Sequence, residues 1–173
     1  MAVQQRIRQG IRALFAFTRS VDYALAADYL NEAQLDLLKQ LSRAEQLHSI
    51  NVLRDVQAQG KVPIDLAQAA LLHDVGKSRW PLAIWQKTIV VIFRKLSPEQ
   101  FTRWGQGQPD NPWRRPFVAT MQHPAWSAEM AARVGLSERA LWLIAHHADD
   151  FEQWQQHPYA PLLKRLQQAD DAN

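Results

Sequence analysis

The chain has 173 residues, of which 47% are apolar, and a formal net charge of +3. This length and apolar content predict one globular domain with a sizeable core. The sequence contains no cysteine, which excludes disulfide bonds and thiolate metal ligands. No run approaches the roughly 18 apolar residues that a membrane-spanning helix needs, and the first residues do not resemble a secretory signal. Together these features favour a cytoplasmic protein.

Basic residues are concentrated at the start of the chain. A helix is predicted over about residues 3–19, and four arginines precede the first acidic residue, Asp22: Arg6, Arg8, Arg12 and Arg19. A basic amphipathic helix of this kind is compatible with a membrane surface or with nucleic acid. The pattern favours a solvated basic face opposite an apolar face that is directed inward and consists of Ile7, Ile11, Leu14, Phe15 and Phe17.

Helical periodicity continues along the chain without an alternating strand pattern, so the predicted fold class is an all-α, single-domain helical bundle. A short helix fits residues 22–30, and Asn31 is expected to cap the next one. Ser42 and Glu45 form a capping box that opens a long helix ending near Gly60. The helix that follows begins at about Pro63.

A pair of helices is predicted in the middle of the chain. Pro81 is placed in the first turn of a helix that extends through Phe93, and Pro98 is placed at the first position of the next helix. The glycine- and proline-rich segment 105–112 is the clearest loop.

Three further helices complete the predicted bundle. Because proline disfavours helical geometry at the residue before it, Pro124 places His123 at the mouth of a helix that runs to about Val134. Ser137 is expected to cap the following helix, and Pro161 is expected to begin the last one.

The most informative stretch is Leu-Leu-His-Asp-Val-Gly-Lys at residues 71–77, in which an apolar helix ends in His73 and Asp74. Adjacent residues on a helix diverge by about 100°, so both side chains flank one point where a single cation takes a ligand from each. A histidine and an aspartate at the end of an apolar helix are costly to bury unless something compensates them. The pair therefore predicts a metal site.

Other histidines lie at predicted helix interiors or ends. Each one alone has an ordinary explanation as a half-buried or surface residue. Their number, together with Asp74 and Asp170 as oxygen donors, favours a shared metal site built from His48, His73, His123, His146 and His147.

Five segments in this order resemble the HD-domain superfamily of metal-dependent phosphohydrolases. The resemblance spans about residues 43–171 and rests on His48-Ser49 with Val52, the 71–77 motif, His123-Pro124 with the segment 127–131, Leu143-Ile144-Ala145-His146-His147, and Gln168-Ala169-Asp170. It implies a domain of this type over residues 43–173, with the helices of residues 1–42 packed on its core.

The resemblance also implies the roles of these residues. One metal would be held by four of them: His48, His73, Asp74 and Asp170. Asp74 would bridge to a second metal held by His123, His146 and His147, and Lys77 would offer its charge to a phosphate oxygen. Imidazole and carboxylate ligands suit two divalent ions of Fe, Mn, Zn or Co. Asp171 is a near-equivalent candidate for the closing carboxylate.

Two features depart from the family pattern. The segment after His147 lacks the Gly-Tyr-Pro signature of the branch that degrades cyclic di-GMP, which disfavours that specificity. Forty-eight residues separate Asp74 from His123, so an extra helical pair is expected beside the site, over about residues 80–116.

Three functions are compatible with the sequence. The favoured hypothesis is a hydrolase that acts on ester bonds of a small-molecule phosphate ester or nucleotide, with Asp74 and Lys77 as catalytic residues. An inactive HD-type module that senses a nucleotide or binds a protein partner is the alternative. A nucleic-acid-binding helical protein is disfavoured because no recognition-helix motif is present.

Overall fold

The computed structural model describes residues 20–173. The predicted N-terminal helix over about residues 3–19, with its four arginines, lies outside the described residues. Nine α-helices and two 3₁₀-helices form within residues 20–173, and no β-strand occurs there. This finding confirms the predicted all-α fold. No helix in the described range is long and apolar enough to cross a membrane.

The first four helices begin within a residue of the predicted positions, but the first one ends at Ala27, three residues before its predicted end. They are α1 (Tyr23–Ala27), α2 (Glu32–Lys39), α3 (Arg43–Ala58) and α4 (Ile64–Leu72). Asn31 caps α2 in a capping box with Gln34, and Ser42 caps α3 in a capping box with Glu45. Gly60, with a φ of 121°, ends the turn after α3 in a conformation that favours glycine.

A short 3₁₀-helix and five α-helices, with a second 3₁₀-helix between the last two, complete the fold. The first 3₁₀-helix covers Val75–Arg79, followed by α5 (Ile84–Leu96), α6 (Pro98–Gly105), α7 (Arg115–Arg133), α8 (Glu138–His146), a 3₁₀-helix over Phe151–Trp154 and α9 (Ala160–Ala172). The prediction is wrong for Pro81, which precedes α5 instead of lying in its first turn. Gln86 accepts a hydrogen bond from the Ala83 N–H at 2.9 Å, and this contact sets the start of α5.

The prediction is also wrong for His123, which lies inside α7 and not at the mouth of a helix. Pro124 has no N–H, so the Thr120 carbonyl oxygen loses the donor that a regular helix would supply. The His123 Nδ1 lies 2.8 Å from this oxygen and takes the place of the missing donor. The helix therefore continues through the proline.

Helix α4 is the centre of the bundle and packs against α2, α3, α8 and α9. Leu66, Leu71 and Leu72 on this helix are fully buried. Burial of a leucine side chain contributes about 1.5–3 kcal/mol to stability. The buried core thus holds the helix that leads directly into His73 and Asp74.

Helices α5 and α6 form the pair that was expected beside the site, and they pack on α7 through aromatic side chains. The Trp104 ring lies 5.1 Å from the Phe93 ring and 5.0 Å from the Phe117 ring, measured between centroids. These separations are typical of stabilising aromatic pairs. The contacts fix α5 along one side of the cleft described below.

Asp65 connects the start of α4 to the start of α8. Its side chain is buried, and it accepts hydrogen bonds from the Ser137 hydroxyl and from the Arg139 guanidinium, whose Nε lies 2.7 Å from Oδ2. This contact sets the position of α4, which leads to His73, relative to α8, which leads to His147.

The first prediction concerns this link. Burial acts to raise the pKa of Asp65, but the hydrogen bonds from Ser137 and Arg139 outweigh burial and hold the pKa below its usual value. We expect Asp65→Asn to lower the free energy of unfolding by about 1–3 kcal/mol at pH 7, because buried donors lose their charged acceptor. A depressed pKa stabilises the fold above the unfolded pKa of about 3.9, so the difference between variant and wild type should shrink as the pH falls below that value.

Urea denaturation at neutral and acidic pH measures this difference. Asp36→Asn is the control, because Asp36 forms an exposed ion pair with Lys39 and should contribute less than about 1 kcal/mol. Equal losses in the two variants, or a loss at Asp65 that does not depend on pH, would contradict the prediction.

Candidate metal centre

Three buried histidines share one hydrogen-bonding arrangement. In each, Nδ1 lies close to the backbone carbonyl oxygen three residues earlier, at 3.1 Å for His73, 2.8 Å for His123 and 2.8 Å for His147. A neutral imidazole that donates from Nδ1 keeps its lone pair on Nε2. The backbone therefore presents all three Nε2 atoms as ligands for a metal ion.

The Asp74 carboxylate lies among these nitrogens and is only 2% exposed. Its Oδ1 is 3.3 Å from the His123 Nε2 and 3.7 Å from the His147 Nε2. Its Oδ2 is 3.5 Å from the His73 Nε2 and 3.8 Å from the His48 Nε2. The two oxygens of one carboxylate thus face two different pairs of histidines.

Asp170, on α9, completes the side of the site formed by His48 and His73. Its Oδ1 is 2.9 Å from the His48 Nε2 and 3.5 Å from the His73 Nε2. Burial acts to raise the pKa of Asp170, but the two histidines outweigh burial and lower it well below its usual value. The structure brings Asp170 to the cluster, whereas the neighbouring Asp171 is exposed.

Lys77 lies on the 3₁₀-helix after the His-Asp pair and forms an ion pair with Asp74 Oδ2. Burial acts to lower the pKa of Lys77, but the Asp74 carboxylate outweighs burial and raises it. Lys77 is therefore a cation at neutral pH, and its side chain is 38% exposed to the cleft.

The structure does not bring His146 to the other ligands. Its Nδ1 is 2.7 Å from Asp149 Oδ2, and its ring packs against Trp142 and Trp154. Asp149 also accepts a hydrogen bond from the Trp154 Nε1. Because adjacent residues near a helix end diverge by about 100°, His147 turns toward Asp74 while His146 turns toward this aromatic group.

A cavity of about 300 Å³ opens in front of the cluster. It is lined by three charged residues that the sequence pattern does not predict as part of the site: Glu45, Lys87 and Arg94. The Lys87 Nζ is 3.1 Å from Glu45 Oε1, a contact between α5 and the first turn of α3. From the sequence, Glu45 is predicted only to form the capping box with Ser42. Its contact with Lys87, 42 positions further along the chain, has no local sequence pattern.

The hydrogen-bonding state of the cluster fits a metal ion. In the described part of the chain, His73 Nε2 and Asp74 Oδ1 are buried and have no hydrogen-bond partner. The Nε2 atoms of His123 and His147 lie only 3.3 Å apart, and two lone pairs at that distance repel unless a cation lies between them. Burial lowers the pKa of His123 to about 4, so this ring is neutral at pH 7 and available as a ligand.

The nature of the donors also fits. Three overlapping groups of ligand atoms each lie within 4.8 Å of one another: His48, His73 and Asp74; His73, His147 and Asp170; Asp74, His123 and His147. Imidazole nitrogens and carboxylate oxygens suit divalent transition metals. Unpartnered buried donors of these types are the expected ligands of such an ion.

The fold and the cluster define an all-helical protein with a buried group of His and Asp side chains that could hold a divalent metal ion. A family model described as HD domain matches residues 45–172, so the chain belongs to the HD-domain family, whose members are typically metal-dependent phosphohydrolases. This match confirms the resemblance that the five segments indicated. Comparisons with curated proteins and with solved structures found no match.

The second prediction uses the two adjacent aspartates on α9. We expect Asp170→Asn to weaken Mn²⁺ or Zn²⁺ binding by about 10-fold or more, because the variant loses an anionic oxygen that faces His48 and His73. Asp171→Asn, the matched control, should bind the metal as the wild type does. Isothermal titration calorimetry measures both, and a loss of affinity in Asp171→Asn alone would contradict the assignment.

The third prediction concerns Gly76, where the His-Asp turn meets α7. Its N–H donates to the Ser127 hydroxyl at 2.8 Å, and an added Cβ would lie 2.8 Å from the Ser127 nitrogen and 2.9 Å from its Oγ. We expect Gly76→Ala to cost about 1–3 kcal/mol of stability by overpacking, and to weaken metal binding by separating Asp74 from His123.

Gly107→Ala is the control, because a Cβ there would lie no closer than 3.4 Å to the nearest atom. Urea denaturation and metal titration of both variants measure the two effects. Equal free energies of unfolding and equal metal affinities in the two alanine variants would contradict the prediction that Gly76 must lie close to Ser127.

Proposed function

We propose that the protein is a metal-dependent phosphohydrolase that cleaves the phosphate ester of a small molecule, with a nucleotide as the favoured substrate. The observation that carries this proposal is the position of Asp74, whose two carboxylate oxygens face different histidine pairs. A carboxylate in that position is suited to bridge two metal ions. Membership of the HD-domain family supports the same chemistry.

We assign the ligands of the two ions from these contacts. Four residues would hold the first ion: His48, His73, Asp74 and Asp170. Asp74, His123 and His147 would hold the second, and the contacts of His146 give it no place among the ligands. Iron, manganese, zinc and cobalt all suit these donors. When bound, a pair of divalent ions supplies a hydroxide nucleophile near neutral pH and neutralises charge on the phosphoryl group.

The cations of the cleft are suited to bind the phosphate. Lys77 contacts Asp74 and is positioned to transfer its hydrogen bond to a phosphate oxygen as the ester binds. Lys87 and Arg94 line the same cavity from α5. Positioning and charge stabilisation of this kind account for most of the rate enhancement in phosphoryl transfer.

The remaining wall of the cavity supports an organic substituent on the phosphate. Trp80, Leu82 and Val90 line it beside the charged groups. The guanidinium of Arg115 lies 4.4 Å from the centre of the Trp80 ring and holds that ring in place. A nucleotide combines a flat apolar base with a phosphate and matches both parts of the cavity.

The fourth prediction tests turnover. The protein is reconstituted with Mn²⁺ or Fe²⁺ under anaerobic conditions and assayed with mono-, di- and cyclic nucleotides. We expect about two metal ions per chain. We expect Asp74→Asn to lower hydrolysis by about 100-fold or more, since removing even an outer partner of a metal ligand costs about 10–100-fold. His157→Gln is the control, because its ring stacks on Trp142 outside the metal cluster.

Circular dichroism of both variants separates loss of chemistry from loss of fold. Hydrolysis that persists unchanged in Asp74→Asn would show that another site is responsible. A folded protein that binds nucleotides without turning them over, with or without metal, would instead support the sensing module.

A further inference from the structure

Exposed apolar side chains are concentrated on one part of the surface. Within the described residues, eight of the ten large exposed apolar side chains lie between residues 84 and 121. They are Ile84, Trp85, Ile89, Val91, Ile92, Leu96, Trp113 and Met121. Val91 lines the metal cleft and Met121 lies on α7, and we call the surface that the other six side chains form on α5 and the loop before α7 the apolar face.

Helix α5 carries the main part of the apolar face as a continuous stripe. Trp85, Ile89, Ile92 and Leu96 follow the spacing i, i+4, i+7 and i+11, which places them on one side of the helix. Val90 points inward and is only 4% exposed. The side chains of the stripe are 36–75% exposed, so the described helices cover it only in part.

The loop before α7 extends this surface. Trp113 is 83% exposed and, with Trp85, Ile89 and Trp104, lines a groove of about 400 Å³. Contiguous exposed patches of this kind mark sites of interaction with proteins or membranes.

The same segment carries an excess of positive charge. Residues 84–115 contain six basic and two acidic residues, so their net charge is +4, whereas the entire chain has a net charge of +3. The basic residues are Lys87, Arg94, Lys95, Arg103, Arg114 and Arg115. The segment of the apolar face is therefore a basic region of the chain, as are residues 1–19, and the residues outside these two segments have a net negative charge.

We propose that the apolar face binds the surface of an anionic lipid bilayer. Tryptophan is enriched where membranes meet water, because its ring is apolar and its N–H is polar. Exposed isoleucine and leucine side chains insert beneath the headgroups, and neighbouring lysine and arginine side chains contact anionic lipids. Arg114 lines the groove beside Trp85 and Trp113, and Lys95 follows Ile92 by three positions on α5, so basic and apolar side chains lie together on this face.

Charge disfavours two other occupants of this face. A second copy of the chain would bring the Lys95 and Arg114 side chains of one face against those of the other. Residues 1–19 carry four arginines and no acidic residue, so they would also bring positive charge to it.

Nucleic acid matches the basic residues but not the aliphatic ones. Ile84 is 80% exposed and Leu96 is 75% exposed, and neither side chain stacks on a base. A bilayer interface accommodates both kinds of residue.

The apolar face lies beside the metal cleft, because a different side of α5 lines that cleft with Lys87 and Arg94. Docking would hold the opening of the cleft next to the lipid headgroups. The proposal is independent of catalysis and rests on the surface alone.

Cosedimentation of the full chain with phosphatidylcholine vesicles, with and without phosphatidylglycerol, tests the proposal. We expect binding only to the vesicles that contain phosphatidylglycerol, and weaker binding at high salt because salt screens the charges. The double variant Leu96→Gln/Trp113→Gln should bind these vesicles about tenfold more weakly or worse. The matched control is Ile64→Gln, because Ile64 is 49% exposed in the first turn of α4, outside the apolar face.

Three outcomes would overturn the proposal. They are an absence of binding to phosphatidylglycerol vesicles, equal binding by the double variant and wild type, and a dimer in sedimentation velocity that the double variant abolishes. Equal binding would assign the membrane contact to another part of the chain, and the dimer would assign the face to a second copy. Metal content and circular dichroism, measured on the same samples, show that the variants are folded and keep this test separate from the test of turnover.

Discussion

The structure depends on keeping the buried carboxylate of Asp74 charged. Burial acts to raise its pKa, but Lys77 and the surrounding histidines outweigh burial and hold the pKa well below its usual value. A buried charge without compensation is strongly destabilising. Helices α3, α7, α8 and α9 each supply a side chain that faces Asp74 or its neighbours. The packing of α4 against α3 and α8 brings His48 and His147 to this charge. Helix α9 adds a second carboxylate, Asp170, which increases the demand for a cation at the cluster.

The orientation of the histidines depends on backbone carbonyls that have no helical donor. His73 and His147 lie just after α4 and α8, where the last carbonyls of a helix are free, and each ring bonds to one of them. His123 lies in the middle of α7, where such carbonyls are normally occupied. There Pro124 removes the N–H that would occupy the Thr120 carbonyl. A helix end at His73 and His147, and a proline within a helix at His123, thus each direct Nδ1 to a carbonyl and leave Nε2 free as a ligand.

Most helix positions can be predicted from local sequence, but the arrangement of the site can be predicted only in part. The capping boxes at Asn31 and Ser42 involve residues three positions apart, so their effect was visible without any tertiary contact. The rule for residues before proline failed at His123, because a side-chain donor replaced the missing backbone donor. The contact between Lys87 and Glu45 joins two helices and has no local signal. Likewise, only the rotation of α8 within the bundle decides that His147, and not His146, faces Asp74.

The 48 residues between Asp74 and His123 show that the His and Asp cluster and the rest of the cleft are held by different contacts. The two ends of this segment are fixed by the close approach of Gly76 to Ser127. Between those ends, α5 and α6 are held to α7 by aromatic packing, which depends on apolar volume, and by Gln122, whose Nε2 donates to the Gly105 and Gly107 carbonyls. Helix α5 contributes Lys87 and Arg94 to the cleft and no metal ligand. Under the proposed function, sequence changes in α5 would therefore alter which phosphate ester binds without disturbing the ligands that hold the metal.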